Sequence, residues 1–286
     1  EWYEDRRLYA GLCSLWDEVL GNVTKAIVYK NMWARTLLVF SSDNGGPVYW
    51  STTESYQHGA GANNWPLLGG KVSNWEGGVR AAAFVSGGML PEAQRGQATS
   101  EYVHIADWYA TFCELAGVDP TDTVGELYGL PPIDSLSMVD LLSRQNASSP
   151  RVEIPISLDF ESGHGIHGNG SALIQGEWKL LQGSQMQTFW QGPEFPNASE
   201  YGILGDYVVE CGHSGSSLKQ GCLFNIVEDP TEHNDVADAH PDVVERMSAR
   251  MDELRLTKYE RQSELDKEGF KAQIQANLYF VGPWLP

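Results

Sequence analysis

The sequence predicts an α/β fold in two parts, an α/β domain over residues 1–165 and a small antiparallel sheet-and-helix subdomain over residues 166–286. The first part has an amphipathic helix pattern over 5–28 and then an apolar strand over 36–41, which is the helix-then-strand order of α/β proteins. The glycine-rich run 161–170 then separates these elements from shorter ones. The short strand patterns that follow end in one clear helix near the C-terminus, which indicates a second kind of architecture there.

The helix over 5–28 is predicted from apolar residues spaced three and four apart, which form one stripe along a helix. The members of the stripe are Leu8, Leu12, Leu15, Trp16, Val19, Leu20 and Val23. Asp17 and Glu18 lie off the stripe and are interpreted as solvent-facing. Cys13, and Cys113 in a later helix, fall on apolar helix faces, so we expect both to be buried thiols.

The strand over 36–41 is predicted to be a buried parallel strand, because residues 37–40 form an apolar run. Asp43 and Asn44 follow it, and in open α/β sheets ligands gather outside the carboxyl ends of the strands. Their hard oxygen donors suit Ca²⁺ or Mg²⁺. Gly45 and Gly46 permit a sharp turn and a close approach of the backbone. A plain turn is the alternative, since this sequence is also a favourable turn sequence.

Lys71 favours the metal interpretation over the plain turn. It lies between the glycines Gly69-Gly70 and the run Trp75-Glu76-Gly77-Gly78, which is an unusual composition for a simple loop. A lysine near a metal strand would place a second positive charge close to the cation. A metal and a lysine together can neutralise a tetrahedral oxyanion.

Five further segments complete the first part. In order, the patterns predict a strand over 80–88, a helix over 100–117, a loop over 119–135, a short helix over 137–142 and a strand over 154–159. Gly117 is placed as the stop of the helix over 100–117, because glycine adopts the left-handed conformation that ends helices. His104 and Asp107 are interpreted as structural residues behind the site.

Two loops have two interpretations each. The loop over 47–63 either lines a substrate cleft or is a surface insertion, and its notable side chains are Tyr49, Trp50, Tyr56 and His58. In the run 161–170, His164 and His167 are three residues apart and could indicate a metal. A flexible loop is favoured there because the run is so rich in glycine.

The second part predicts a hairpin from 172–174 to 178–181, a strand over 223–226 and a helix over 241–256. Cys211 and Cys222 bracket a polar loop, which favours a disulfide that staples a region with little core. Metal binding by this pair is less favoured, because no second pair has the required spacing.

Composition excludes several classes of protein. Hydrophobic residues make up 42% of the chain, so a packed core is expected and disorder is not. The net charge of −19 leaves no basic face for nucleic acid. No apolar run is long enough to span a membrane, and no apolar signal region begins the chain as given. Four glycosylation sequons modestly favour the secretory pathway, at Asn22, Asn146, Asn169 and Asn197.

The sequence resembles the second half of a type I sulfatase of the alkaline-phosphatase-like superfamily, nearest the N-acetylgalactosamine-4-sulfatase (arylsulfatase B) type. The resemblance extends over nearly the whole chain. The stretches that carry it are Asp43-Asn44-Gly45-Gly46, Asn64-Trp65-Pro66-Leu67, Gly70-Lys71 and Trp75-Glu76-Gly77-Gly78-Val79-Arg80. It implies hydrolysis of sulfate esters, of a sulfated small molecule or a sulfated glycan, in a secreted or lysosomal (lumenal) setting.

By the same resemblance, Asp43 and Asn44 are two ligands of a Ca²⁺ ion, and Lys71 contacts the sulfate. The family's nucleophile is a formylglycine made from the cysteine of a Cys-x-Pro-Ser-Arg motif. None of the four cysteines here has a proline two residues later. The nucleophile is therefore expected upstream, and no turnover is expected from this chain alone. The alternatives are a non-catalytic carbohydrate-binding remnant and a phosphoesterase of the same superfamily.

Overall fold

The computed structural model describes residues 2–48, 61–144, 147–158, 170–192, 208–212, 220–257, 271 and 274–275. Glu1–Arg255 form one compact unit and Leu256–Pro286 form a second. The domain boundary predicted at 165/166 lies outside the described residues, so it stays a prediction. The same holds for the predictions made for Tyr49, Trp50, Tyr56, His58, Asn146, His164, His167, Asn169 and Asn197.

Helix α1 spans Trp2–Tyr29, slightly beyond the predicted 5–28. Its apolar stripe is open: Leu8, Leu12, Leu15 and Trp16 are 55–62% exposed. Cys13 is exposed and Cys113 is half-buried, so the prediction that both are buried thiols is wrong. The physical reason for Cys13 is that no described element packs over this part of the stripe.

Strand β1 (Leu38–Ser41) pairs antiparallel with β2 (Ala83–Ser86), so the prediction of a buried parallel strand is wrong. Parallel pairing needs a crossover that restarts the chain in the same direction, whereas here the chain returns beside β1 in the opposite direction. Among the described residues β2 is the sole partner of β1, and the strand is half-buried rather than buried. The short helix α2 (Glu76–Val79) lies just before β2.

Helix α3 (Asp107–Ala116) begins later than the predicted residue 100, and it ends at Gly117 with a φ of +68°, as predicted. Helix α4 (Thr123–Leu127) interrupts the predicted loop over 119–135. The cause is a cap: the Asp122 side chain accepts a hydrogen bond from the Gly125 N–H at 2.9 Å. Helix α5 spans Val139–Ser143. Three 3-10 turns lie at Trp33–Arg35, Glu92–Gln94 and Ala237–Ala239.

The second sheet is antiparallel and is centred on β5, which pairs with β4, β6 and β7, while β3 pairs with β4. Its strands are β3 (Glu153–Ser157), β4 (Gly170–Gln175), β5 (Trp178–Gln185), β6 (Val209–Glu210) and β7 (Cys222–Asn225). Helix α6 (Pro241–Leu256) covers one face, where Val244 and Met247 pack with Leu173, Leu180 and Leu223. The predicted hairpin, strand and C-terminal helix are confirmed.

The opposite face of this sheet carries the residues that position the candidate site. Leu68 and Trp75, which flank Lys71 in the sequence, are 1% exposed and pack with Leu181 and Phe224. The predicted disulfide between Cys211 and Cys222 is confirmed, and it joins the end of β6 to the start of β7 in the same core. No helix in the described part of the chain is both long and apolar enough to cross a membrane.

Candidate functional site

The loop after β1 is held from both sides by the segment that leads into β2. The Ser42 N–H donates to the Ala82 carbonyl at 2.9 Å, and the Gly45 N–H donates to the Gly78 carbonyl at 2.8 Å. A Cβ on Gly45 would lie 1.6 Å from the Gly77 carbonyl oxygen, so this close approach requires glycine. The loop therefore presents Asp43 and Asn44 from a fixed backbone.

The two predicted metal ligands keep their oxygen atoms unused within the described structure. Asp43 is exposed and forms no salt bridge or hydrogen bond with any described residue. The Asn44 Nδ2 donates to the Gly45 carbonyl at 2.8 Å, so Oδ1 is the side-chain atom left to bind a cation. These hard donors fit Ca²⁺. The described residues contain no group of three or more His, Cys, Asp or Glu that could hold a metal.

The structure brings the predicted lysine to the same place through the backbone. The Lys71 N–H donates to the Gly46 carbonyl at 3.1 Å, two residues beyond Asn44. Lys71 is exposed, and its ammonium forms no salt bridge with a described residue. The backbone contact therefore places the loop of Lys71 against the loop of Asp43 and Asn44.

Asn64 links the two loops. Its Oδ1 accepts from the Gly46 N–H at 2.9 Å, and its Nδ2 donates to the Gly46 carbonyl at 2.9 Å and to the Gly69 carbonyl at 3.0 Å. All three hydrogen-bonding positions used by this amide therefore lie between the loop of Asn44 and the loop of Lys71. Removal of the amide would break these three hydrogen bonds but keep the hydrogen bond from the Lys71 N–H to the Gly46 carbonyl.

The segment 187–191 contacts the loop over 64–71 that carries Lys71, called the lysine loop below. The Gly69 N–H donates to the Phe189 carbonyl at 3.2 Å, and the Asn64 N–H donates to Gln191 Oε1 at 2.6 Å. Gln187 Nε2 donates to the Lys71 carbonyl at 2.8 Å. Sequence reasoning missed Gln187 and Gln191, because no local pattern marks a contact made more than one hundred residues away.

A buried ion cluster ties α2 to the second sheet. Lys179 Nζ lies 2.9 Å from Glu76 Oε1 and 2.8 Å from Glu232 Oε1, and all three side chains are at most 5% exposed. The Glu76 N–H also donates to Glu232 Oε2 at 2.7 Å. Burial lowers the pKa of Lys179, but the two carboxylates outweigh it and hold that pKa above its usual value. Burial raises the pKa of Glu232 despite the nearby ammonium.

Tyr9 of α1 borders the loop of Asp43. Its hydroxyl lies 3.2 Å from the point where a Cβ on Gly46 would stand. Burial is the main cause that raises the pKa of the Tyr9 phenol; the nearby Cys13 and Asp43 side chains add to the shift and the Arg6 guanidinium opposes it. The phenol is therefore a protonated donor at neutral pH.

Asp107 plays the structural part expected of it. It is fully buried, and Arg151 Nε donates to its Oδ2 at 2.7 Å. Its carboxylate also accepts from the backbone N–H groups of His104 and Leu136. Burial raises the pKa of Asp107, but these hydrogen bonds outweigh burial and hold that pKa below its usual value.

The sequence of this chain is similar to known sulfatases. Residues 2–118 match the protein-family model described as Sulfatase. The chain is 31% identical over 267 residues to arylsulfatase J of Mus musculus, covering 88% of this chain and 40% of that protein. It is 25% identical over 242 residues to the steryl-sulfatase of Rattus norvegicus, covering 82% and 38%. The chain thus spans less than half the length of these relatives.

Solved structures share the fold. The PsFucS1 sulfatase from Pseudoalteromonas sp. has a TM-score of 0.55 at 20% identity, covering 84% of this chain and 41% of that one. Ps i-CgsB, in complex with k-i-k-neocarrahexaose, has a TM-score of 0.60 at 24% identity, covering 95% and 48%. At these identities the likeness concerns the fold, and it confirms the predicted α/β fold of the sulfatase type.

Proposed function

Because residues 2–118 match the protein-family model described as Sulfatase, we propose that Asp43, Asn44 and Lys71 form part of a calcium-dependent site that hydrolyses sulfate esters. Asp43 and Asn44 would hold the ion through oxygen. When bound, calcium supplies positive charge close to the sulfuryl oxygens. Lys71 binds the same group from the other loop and offsets the negative charge that builds up on it during displacement.

The observation that supports this proposal best is the backbone contact from the Lys71 N–H to the Gly46 carbonyl at 3.1 Å. It fixes the lysine loop on the loop of Asp43 and Asn44. Among the described residues, the Asp43 carboxylate, the Asn44 Oδ1 and the Lys71 ammonium have no hydrogen-bond or salt-bridge partner, which leaves them available to ligands. The net charge of −19 opposes the approach of anions, although salt screens this repulsion beyond about 8–10 Å.

We further propose that the nucleophile and the remaining metal ligands come from a segment outside these 286 residues, since no Cys-x-Pro-Ser-Arg occurs in them. The substrate class is a sulfated small molecule or a sulfated glycan. The finer resemblance to the N-acetylgalactosamine-4-sulfatase type stays a prediction. The disulfide between Cys211 and Cys222 supports an oxidising compartment, secreted or lysosomal, and Asn22 is an exposed glycosylation sequon on α1.

The direct test is binding of inorganic sulfate, with and without Ca²⁺, to a polypeptide that joins the 286-residue chain to the segment carrying the nucleophile, in about 0.15 M salt where surface repulsion is screened. Lys71→Met removes the charge at nearly equal length, and we expect it to weaken sulfate binding about tenfold, as loss of one charge-assisted contact does. Asp43→Asn should weaken Ca²⁺ binding. The matched control is Lys25→Met, an exposed lysine on α1.

Equal sulfate affinity in Lys71→Met and Lys25→Met would contradict the proposal. Hydrolysis of a small aryl sulfate by the chain alone would contradict the placement of the nucleophile outside it. Phosphate binding tighter than sulfate binding would favour the phosphoesterase alternative. Retention of a sulfated glycan without hydrolysis, by a polypeptide that includes the missing segment, would favour a carbohydrate-binding remnant.

A further inference from the structure

The backbone of Lys71 is held on both sides. Its N–H donates to the Gly46 carbonyl at 3.1 Å, and its own carbonyl accepts from Gln187 Nε2 at 2.8 Å. The first contact comes from the loop of the predicted metal ligands. The second comes from the segment that follows β5, 116 residues away in the sequence. The lysine is thus fixed between the two sheets of the fold.

The residues beside Gln187 are fixed by a buried tryptophan. Trp75 Nε1 donates to the Met186 carbonyl at 3.0 Å and to Thr188 Oγ1 at 3.1 Å, so it contacts the residue on each side of Gln187. Trp75 itself is 1% exposed and packs edge-on against Phe224. The position of the Gln187 backbone therefore depends on the core of the second sheet.

Gln187 keeps this place at an energetic cost. Its φ is +56°, in the left-handed region that residues other than glycine rarely adopt. Its side chain is 5% exposed, and Oε1 is buried without a hydrogen-bond partner among the described residues. Such conformations persist only where the surroundings over-determine them, and they are frequent beside functional sites. Among the described residues, this side chain forms one hydrogen bond, to the Lys71 carbonyl.

We propose that Gln187 is a positioning residue for Lys71: it holds the lysine backbone so that the ammonium meets a sulfate group bound at the loop of Asp43 and Asn44. This inference rests on the proposed function, because it takes Lys71 as the sulfate contact. It places a determinant of the sulfate site in the small C-terminal sheet. Gln187 itself does not touch the sulfate.

The test uses two buried glutamines that differ in what they contact. Gln187→Met removes the donor to Lys71 at nearly constant volume. Gln182→Met is the matched control, since Gln182 is 1% exposed and its Nε2 donates to the Gln220 carbonyl and to Ser248 Oγ, on the side of α6. Both variants lose buried hydrogen bonds, so both should unfold more easily, and stability alone does not separate them.

Two readouts do separate them. Lys71–Val72 is the one Lys-Val pair in the sequence, so a chain labelled with ¹³C-carbonyl lysine and ¹⁵N valine gives a single cross-peak for this peptide group. We expect the cross-peak to move in Gln187→Met and to stay in place in Gln182→Met. We expect affinity for inorganic sulfate to fall about tenfold in Gln187→Met only, the size of effect that outer supporting residues have on a site.

An unmoved cross-peak in Gln187→Met, with sulfate affinity equal to that of Gln182→Met, would overturn the inference. If Gln187→Met does not fold, Gln187→Gly replaces it, because glycine tolerates the positive φ and still lacks the donor. A wild-type polypeptide that includes the segment proposed to carry the nucleophile, and that still fails to bind sulfate, would overturn the proposed function. The cross-peak would then still decide whether Gln187 fixes Lys71.

Discussion

Lys179 Nζ and Glu76 Oε1 lie 2.9 Å apart in the interior, although 103 positions separate these residues in the sequence. Glu76 opens α2, and two residues later the Gly78 carbonyl holds Gly45, directly after Asn44. The ion pair therefore connects β5 of the second sheet to the loop that presents the predicted metal ligands. Removal of either partner of this ion pair should therefore lower the free energy of unfolding.

Lys179→Met should lower the free energy of unfolding by about 3–5 kcal/mol, because it leaves two carboxylates buried without their cation. Urea denaturation followed by circular dichroism measures this. The control is Arg144→Met, whose salt bridge with Asp140 is 60–70% exposed and should contribute no more than about 0.5 kcal/mol. A loss in Lys179→Met as small as that of the control would contradict the interpretation of the cluster.

Glu232→Gln should flatten the dependence of stability on pH above about pH 4.5. The pKa of Glu232 is raised in the folded state, mainly by burial, from an ordinary value of 4.5. Its contribution is fully present below that ordinary value and is lost as pH rises through the raised pKa, with a slope of at most about 1.4 kcal/mol per pH unit. Glutamine is neutral throughout and can still accept the hydrogen bond from the Glu76 N–H.

Urea midpoints of the wild type and Glu232→Gln, taken from pH 4 upward in steps of about half a unit, measure the two slopes. The two curves should diverge as pH rises, with the variant becoming relatively more stable. Parallel curves would mean that Glu232 keeps an ordinary pKa in the folded protein.

Asn64→Asp should loosen the junction of the two loops. Aspartate retains an acceptor for the Gly46 N–H, but it cannot donate to the Gly46 and Gly69 carbonyls and brings negative charge against both oxygens. We expect faster amide exchange at Gly46 and about tenfold weaker sulfate binding, as for loss of other outer supporting residues.

Asn74→Asp is the control for this change. Asn74 Nδ2 also donates twice, to the Gly170 carbonyl and to Gln185 Oε1, but both partners belong to the second sheet. It should lose stability and keep its sulfate affinity. Equal affinities in the two variants would show that Asn64 is no more than a structural residue.

Replacement of both Cys211 and Cys222 by serine should lower the free energy of unfolding by about 3 kcal/mol, the entropy expected for a crosslink that closes a loop of this order. Thermal unfolding under non-reducing conditions measures it. Cys113→Ser, which removes a free thiol, should have little effect. If the double variant melts with the wild type, the disulfide does not constrain the unfolded chain.

The residues of the candidate site could be proposed from the sequence because each lies within a few residues of its own motif. Asp43, Asn44 and Lys71 stand beside glycines and a distinctive tryptophan-glutamate pair, and Gly117 follows an apolar helix pattern. The direction of β1 could not be predicted this way. An apolar run indicates that a strand is covered, but only its partner decides whether the pairing is parallel or antiparallel.

Contacts between residues far apart in the sequence could not be predicted either. Lys179 lies in a strand whose pattern indicates only a hairpin, and Gln187 lies in the segment that follows it. Nothing nearby in the sequence shows that Lys179 meets Glu76 or that Gln187 meets Lys71. Helix α4 is different, because its signal was local. Asp122 is a good helix cap, but the surrounding proline and glycine residues favoured a loop.

The hydrogen bonds from the 187–191 segment to the lysine loop also bear on damaging genetic changes. A nonsense mutation between codons 81 and 186 would leave Asp43, Asn44, Lys71 and the stretch Trp75–Arg80 in the translated polypeptide. It would nevertheless remove the donor to the Lys71 carbonyl and the acceptors for the N–H groups of Gly69 and Asn64. A reading frame that retains every motif residue would therefore still encode a misassembled site.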